Sequence, residues 1–324
     1  MKDVLIRQDN RITMARYELS LIEKRVMYFV LKEIRNQFVL NESGQRDLFN
    51  DLIVKMNAKN LVKEVYPGHH KSVKEALKSL RLRSFEYDNG EPEDSDTHHW
   101  FEVGFINWSD WNGNGNVEVQ ISNKILPFYV ELTTRYTEYS LLVAMSLKSK
   151  WSQRVYELCA QWRSASGFKM AIKELRKMFK LNSEYARYAS FKTYVLDVAH
   201  KEIKALYDKG QCDLYFEYSE NKNGRSVHSL NFKIISSKTE NTMSLQDVDY
   251  AIRTELSILF ETRSRPKNEA FVGEVMNLLR LNPENLEPCY KKILYVKEHI
   301  PLAEQARYLR FVLNEEYLKN DVFN

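Results

Sequence analysis

The sequence predicts an α+β fold, mostly helical, with two tandem winged-helix domains followed by a helical C-terminal extension. The first observation behind this prediction is a repeated order of elements, in which a basic amphipathic helix leads directly into two strands. The second is an aromatic pattern that opens both strand pairs, Ser84–Tyr87 in one copy and Tyr215–Tyr218 in the other. The third is the run of helical patterns, separated by prolines, that follows residue 246. We interpret the repeat as an ancient duplication.

Length and composition define the class of protein. A chain of 324 residues is long enough for two domains of ~100–150 residues and an appendage. Its 44% hydrophobic and 12% aromatic residues are typical of a globular protein and exclude a disordered one. Three widely separated cysteines without a CxxC pair predict neither a disulfide framework nor a zinc ribbon, and they fit a reducing cytoplasm. No apolar run of ~20 residues occurs, so we expect no membrane association and no export.

Charge is distributed unevenly along the chain. The net charge is +4, which is too mild to indicate a polyanionic partner by itself. Before Lys238 there are 36 Lys and Arg against 30 Asp and Glu, and from Lys238 onward there are 12 against 14. We therefore expect any basic surface to lie in the first three quarters of the chain.

The first winged-helix domain is predicted over residues 1–130. After a short extended start, apolar residues at three-to-four spacing predict helices, and alternating aromatic and β-branched residues predict strands. The predicted elements are a long helix at Arg16–Gln37, one or two shorter helices at Asp47–Val65, a basic helix at Lys71–Arg83, and strands at Ser84–Tyr87, Trp100–Trp108 and Val117–Ile121.

The second winged-helix domain is predicted over residues 131–236 on the same plan. Its elements are a long helix at Ser140–Arg163, a short helix at Ala171–Lys180, a helix at Tyr188–Tyr207, and a hairpin of Leu214–Tyr218 and Val227–Ile235. A polar linker follows at residues 237–246, and the extension occupies residues 247–324. Within it, helices are predicted at 247–260, 268–281, 286–298 and 302–319.

Both domains offer residues suited to DNA. A winged helix places one helix in the major groove, where base edges are distinguishable, while its hairpin touches the DNA backbone or minor groove. Apolar residues Phe191, Val195, Val198 and Ile203 are expected to face inward on the second helix. The predicted DNA-binding residues are Lys71, Ser72, Lys74, Lys78 and Arg81 in the first domain, and Arg187, Ser190, Lys192, Thr193, Lys201, Lys222 and Arg225 in the second. A single basic helix face is more often a solvated surface, but its repetition before two hairpins favours DNA.

The first wing is a weaker candidate because its loop carries Glu91, Glu93, Asp94 and Asp96. These carboxylates would repel phosphate unless they point away from it. We do not assign this wing to DNA.

The patterns of several enzymes are missing from the sequence. A P-loop needs Gly-Lys followed by Ser or Thr, and none of the ten glycines precedes a lysine. A nicking enzyme of the rolling-circle type would use a His-hydrophobe-His pair, which does not occur, so nicking by Tyr185 or Tyr188 has no support. The adjacent histidines at 69–70 and 98–99 point to different sides and do not predict a metal site. We therefore expect no enzyme activity and no cofactor, although a catalytic triad scattered in sequence stays open.

Several motifs together resemble a known family. They are Tyr17-Glu18-Leu19-Ser20 with Glu23-Lys24-Arg25, residues 136–140, Arg154-Val155-Tyr156-Glu157-Leu158 with Gln161-Trp162, Ile172-Lys173-Glu174-Leu175-Arg176, residues 185–203, and the wing at 222–227. Over residues 4–236 the chain resembles the iteron-binding replication initiator (Rep) proteins of bacterial plasmids that replicate by the theta mode. The match is most specific in the second winged helix.

This resemblance implies a function and partners. Such a protein binds direct repeats in double-stranded DNA at the plasmid origin, promotes opening of an adjacent AT-rich segment, and works with the host replicative helicase and the host initiator ATPase. It also implies a homodimer formed through the first domain and repression of the protein's own gene. The second domain would supply most sequence-specific contacts. The acidic first wing and the helical extension depart from the pattern.

Two other functions remain open at this point. One is a winged-helix transcriptional repressor without a role in replication, and the other is a protein-docking module built from paired winged helices.

Overall fold

A computed structural model describes residues 4–40, 44–129, 132, 136–181, 183–224, 226–236, 245–262 and 265–318. They form two compact units. The first holds both winged helices, and the second holds the extension. The domain boundary that we place at residue 130 stays a prediction.

The first winged helix begins with a strand and ends with a short helix. Its elements are β1 (Leu5–Asp9), α1 (Asn10–Met14), α2 (Leu21–Ile34), β2 (Gln45–Arg46), β3 (Leu52–Asn57), α3 (Ala58–Val65), α4 (His70–Leu80), β4 (Ser84–Asp88), β5 (Trp100–Gly104), β6 (Trp108–Trp111), β7 (Asn116–Ile121) and α5 (Leu126–Tyr129). Strands β2, β3, β7 and β6 form one antiparallel sheet in that order. Strands β4 and β5 form the wing hairpin that follows α4.

Three element predictions in this half need correction. The segment Leu52–Asn57 is a strand and not a helix, because its alternate residues are buried against β7 and Asn57 caps the helix that follows. Helix α2 begins at Leu21 rather than Arg16, since Ser20 and Glu23 form a capping box. The single strand predicted at Trp100–Trp108 is two strands, which pair in different sheets.

The rest of the first unit, from residue 136 onward, repeats the order of helices followed by a hairpin. Its elements are β8 (Tyr136–Ser140), α6 (Leu141–Ser146), α7 (Lys150–Gln161), β9 (Gly167–Ala171), α8 (Ile172–Met178), α9 (Tyr188–Phe191), α10 (Asp197–Asp208), β10 (Leu214–Asn223) and β11 (Ser226–Ser236). Strand β11 pairs with both β10 and β9. Strand β8 pairs with β1, so the start of the chain is held by its second third.

The helix predicted at Ser140–Arg163 is interrupted. Residues 147–149 are extended, and the Glu202 carboxylate accepts the backbone N–H groups of Lys148 and Ser149 at 3.0 and 3.2 Å. The hydroxyl of Ser149 caps α7. Because these donors are satisfied outside a helix, the chain can turn between α6 and α7 at little cost.

Strand β9 was not predicted, and it depends on a glycine. Gly167 has φ +154°, and a Cβ there would lie 2.3 Å from the carbonyl oxygen of Phe232 on β11. A side chain would therefore separate two paired strands.

Gly167→Ala is expected to lower the free energy of unfolding of the first unit by about 2–4 kcal/mol, from overpacking and backbone strain together. All five tryptophans lie in this unit, at positions 100, 108, 111, 151 and 162, so urea unfolding followed by tryptophan fluorescence reports on it. Gly113→Ala, at a glycine with open space around it, is the matched control. Equal urea midpoints for the two variants would contradict the prediction.

A buried ionic cluster links helices α2 and α7. Lys24 of α2 lies 2.9 Å from the Glu157 carboxylate of α7, and the hydroxyl of Tyr28 donates to the same carboxylate at 2.9 Å. Arg154 lies 3.5 Å from Glu157 and stacks over the ring of Tyr17. Burial lowers the pKa of the Lys24 amine, which the neighbouring carboxylate only partly offsets. One carboxylate therefore serves two cations within a continuous apolar core whose residues run from Ile6 to Ile234.

The extension is helical, as predicted. Its helices are α11 (Leu245–Leu259), α12 (Pro266–Leu281), α13 (Leu286–His299) and α14 (Leu302–Leu313). They pack around a second apolar core of their own.

Candidate nucleic-acid interface

Helix α4 presents a basic stripe. Val73, Ala76, Leu77 and Leu80 are buried, so the opposite side of the helix faces solvent. We call its exposed cations the α4 stripe, and its members are Lys71, Lys74, Lys78 and Arg81. Ser72, the fifth residue predicted here, is half-buried beside them.

The cations of the α4 stripe are not neutralised by any described residue. None of them forms an ion pair with any residue in the described part of the chain. Lys74 lies over the Trp111 ring of β6, 5.9 Å from its centroid, which orients the amine without neutralising it. The stripe is thus a row of positive charge available to a polyanion.

The first wing is acidic at its tip, as the sequence indicated. Arg16 binds Glu86 and Asp88 of β4 at 3.1 and 3.0 Å, which occupies the carboxylates nearest the core. A backbone hydrogen bond from Gly90 is the main reason that the pKa of Asp88 is lowered. The remaining loop carboxylates are exposed and have no ion-pair partner among the described residues, and they are Glu91, Glu93, Asp94 and Asp96. This tip does not suit phosphate.

One continuous helix covers residues 188–208. We call it the second recognition helix, or simply the recognition helix, because it precedes the second hairpin as α4 precedes the first. A π-helical turn at residues 192–196 joins α9 to α10. This turn shifts the helical register, so Leu196 and Ala199 are buried and Val198, predicted to face inward, is only half-buried. Phe191, Val195 and Ile203 are buried, as expected.

The loop before this helix is held by an arginine. The Arg176 guanidinium donates to the carbonyl oxygens of Tyr185 and Glu184 at 2.7 and 2.9 Å. Tyr185 has φ +51°, a conformation that needs such support. Arg176 therefore positions the N-terminus of the recognition helix, where Arg187 is the N-cap residue.

The predicted residues of the second domain fall into different environments. Arg187, Thr193 and Lys201 are exposed, and neither cation forms an ion pair with a described residue. Ser190 is half-buried. Arg225 lies outside the described residues.

Lys192 is the exception, because a wing residue already binds it. Its amine lies 2.9 Å from the carboxylate of Glu220 on β10, which also accepts the hydroxyl of Tyr188 at 2.9 Å. The hydrogen bond to Glu220 raises the pKa of Lys192, and the same bond lowers the pKa of Glu220. Lys222, the wing lysine, lies 3.9 Å from Glu220 with 60% of its side chain exposed.

A second contact joins the same strand to the same helix. The hydroxyl of Tyr218 donates to Asp197 at 2.5 Å. Between helix and wing lies an open cleft of about 550 Å³. Its lining residues are Lys192, Asp197, His200, Glu217, Tyr218, Glu220 and Lys222.

Sequence reasoning missed two residues at this surface. Tyr194 is 57% exposed beside Thr193 and stacks on Tyr185 at 5.6 Å between ring centroids. Only the register shift of the π turn reveals its outward position. Glu220 was missed because its partners lie 28 and 32 residues away in the sequence.

Other chemistry finds little support in the described residues. The three cysteines are buried thiols, and burial raises the pKa of Cys212 to about 12. No group of three or more His, Cys, Asp or Glu side chains in the described ranges could hold a metal ion. Among those same residues, no helix combines the length and apolarity needed to span a membrane.

Comparison with known families identifies the class of protein. Residues 5–160 match the family described as Initiator Replication protein, WH1, and residues 171–234 match Initiator Rep protein, WH2. The chain belongs to this initiator replication protein family, and the predicted pair of winged-helix domains in an α+β fold is confirmed.

Individual relatives are distant. An uncharacterized 27.6 kDa protein of Escherichia coli is 24% identical over 236 residues, which cover 71% of this chain and 95% of that protein. The WH1 domain of MSBI1.176, a replication protein isolated from a multiple sclerosis patient, is 18% identical over 34% of this chain and 79% of its own, with a TM-score of 0.25. Domains 2 and 3 of RctB are 9% identical over 67% of this chain and 83% of their own, with a TM-score of 0.36.

Proposed function

We propose that this protein initiates plasmid replication by binding repeated double-stranded DNA sequences at the origin through both winged helices. The observation that carries the proposal is the pair of helices with unpaired cations on their outer faces, within a member of the initiator replication protein family. These are the α4 stripe in the first domain and Arg187 with Lys201 in the second.

The two helices divide the work according to their side chains. Lysines on the α4 stripe neutralise phosphates and release counterions, which supplies affinity without sequence information. Arg187 is the N-cap residue of the recognition helix, and in this proposal it contacts a guanine edge while Thr193 contacts a thymine methyl group. Lys222 is proposed to contact the backbone from the second wing.

The later steps of initiation are also part of this proposal. Protein binding would strain an adjacent AT-rich segment of the duplex and so favour strand opening. The host helicase and initiator ATPase would then act on the opened DNA. The acidic first wing, together with the surface of the first domain outside the α4 stripe, would bind a partner protein such as a second copy of the chain. Repression of the protein's own gene would follow from binding near its promoter.

A minimal-plasmid assay tests the proposal. A plasmid with this gene, its flanking repeats and a selectable marker is expected to be maintained in a suitable bacterial host. A plasmid whose repeats are shuffled should be lost. If the intact plasmid fails to replicate while the protein still binds the repeats, the function is that of a repressor and our proposal is wrong.

Arg187→Ala is expected to reduce affinity for the repeat duplex by roughly 5- to 150-fold, because a bidentate base contact contributes ~1–3 kcal/mol of discrimination. Affinity for a shuffled duplex should change by less than about three-fold. The lost contact is to a base edge, whereas binding to a shuffled duplex depends mainly on phosphate contacts. Fluorescence anisotropy with labelled duplexes measures both. Glu184→Ala, an exposed change in the preceding loop, is the control. Equal losses on both duplexes would show that Arg187 does not read bases.

A further inference from the structure

The second wing is fastened to the recognition helix at two points. Glu220 binds Lys192 and Tyr188, and Tyr218 binds Asp197, with donor–acceptor distances of 2.5–2.9 Å. Residues 218 and 220 are two apart on β10, so their side chains share one face of the strand. Their partner Lys192 is the first residue of the π turn, and their partner Asp197 directly follows its last residue. The wing therefore has two separate attachments along the helix.

Lys192 differs from the α4 stripe, Arg187 and Lys201 in its close ion pair. The α4 stripe, Arg187 and Lys201 have no ion-pair partner among the described residues, whereas the Lys192 amine is bound to Glu220 and lies 5.9 Å from the centroid of the Tyr218 ring. A phosphate reaching Lys192 would meet the carboxylate of Glu220 beside it. The negative charges of the phosphate and of the Glu220 carboxylate would repel each other at short range, which opposes such a contact.

A fixed wing has a physical advantage in DNA recognition. The helix reads base edges while the wing touches the backbone, so the angle between them decides whether both contacts form on one site. Ordering two groups before binding removes the cost of ordering them during binding. Non-specific binding, which can adopt many registers, gains much less from a fixed angle.

We propose that Lys192 and Glu220 are positioning residues that hold the second wing at the angle needed for specific binding, and that Lys192 does not itself contact DNA. This inference rests on the proposed function. It gives Glu220 a role that sequence patterns do not reveal, and it removes Lys192 from the residues expected to touch phosphate or bases.

A charge swap tests the inference. Lys192→Glu and Glu220→Lys are each expected to lower affinity for the repeat duplex by about three- to ten-fold, because each puts two like charges at the attachment point. The combination of both substitutions restores an ion pair with its sign reversed. We expect it to recover most of the wild-type affinity, although position 192 now carries a negative charge. A double variant that binds as weakly as Lys192→Glu alone would overturn the proposal.

The salt dependence of binding gives a second and independent readout. Lys192→Gln is expected to leave the slope of log affinity against log salt unchanged, whereas Lys201→Gln on the same helix should reduce it by about 0.9. A similar reduction for Lys192→Gln would show a direct phosphate contact and contradict the inference. This measurement decides whether Lys192 contacts phosphate even if the swapped variant does not fold, which tryptophan fluorescence would reveal.

Failure of the inference can be separated from failure of the proposed function. A wild-type protein that binds repeat and shuffled duplexes alike contradicts the proposed function. A wild-type protein that discriminates between them, combined with a Lys192→Gln variant of reduced slope, contradicts only the positioning role.

Discussion

Replacing all four cations of the α4 stripe with glutamine is expected to weaken binding to the repeat duplex by roughly 10²–10³-fold near physiological salt. The slope of log affinity against log salt should fall by about 3 to 4, since each lost phosphate contact removes ~0.9. The reason is that no described residue neutralises these cations, so their charge is available to DNA. Anisotropy titrations between ~50 and ~200 mM salt measure both quantities.

A matched variant separates an interface from a general charge effect. The extension offers four cations whose replacement by glutamine gives the same net charge, and they are Lys267, Lys291, Lys292 and Arg307. This control should bind DNA with the wild-type slope. Equal losses in the two variants would mean that net charge, and not the α4 stripe, determines affinity.

Breaking the buried cluster around Glu157 is expected to have the largest effect on stability. Glu157→Gln leaves the buried cations Lys24 and Arg154 without their anion, and removing one partner of a buried ion pair costs about 3–5 kcal/mol. Because α2 and α7 pack into the one continuous apolar core of the first unit, the whole unit should lose stability together. Urea unfolding followed by tryptophan fluorescence tests this, since all tryptophans lie in the first unit.

A double variant shows whether the charge itself is responsible. Adding Lys24→Met to Glu157→Gln removes one uncompensated cation. The double variant should therefore lose less free energy of unfolding than the two single variants lose in sum, by at least ~1 kcal/mol. Strictly additive effects would indicate lost packing rather than an ionic cluster. Glu174→Gln, at an exposed pair with Lys177 in the same unit, should leave the midpoint unchanged.

The α4 stripe could be predicted from sequence because it depends only on local periodicity. When a helix buries residues 73, 77 and 80 on one side, the side chains at 71, 74, 78 and 81 must point to its other sides, whatever surrounds the helix. The same logic identified the basic face of the second recognition helix. It placed Val198 inward because an ordinary α-helical register was assumed, and the π turn at 192–196 changes that register.

Elements that depend on distant partners were not predictable in this way. Strand β3 alternates over only six residues before a helical pattern begins, and its pairing with β7, 59 to 69 residues away, decides its conformation. The turn between α6 and α7 depends on Glu202, far along the chain. Glu220 likewise gains its role only when β10 folds against the recognition helix.

The central claim is that both winged helices touch DNA through their outer helix faces, and lysine footprinting tests it most directly. Acetylation of the protein with and without the repeat duplex, read by mass spectrometry, reports which amines the DNA covers. We predict protection at Lys71, Lys74, Lys78 and Lys201, with Lys267 in the extension unchanged. Unchanged acetylation of the α4 stripe and of Lys201 in the bound complex would contradict the account.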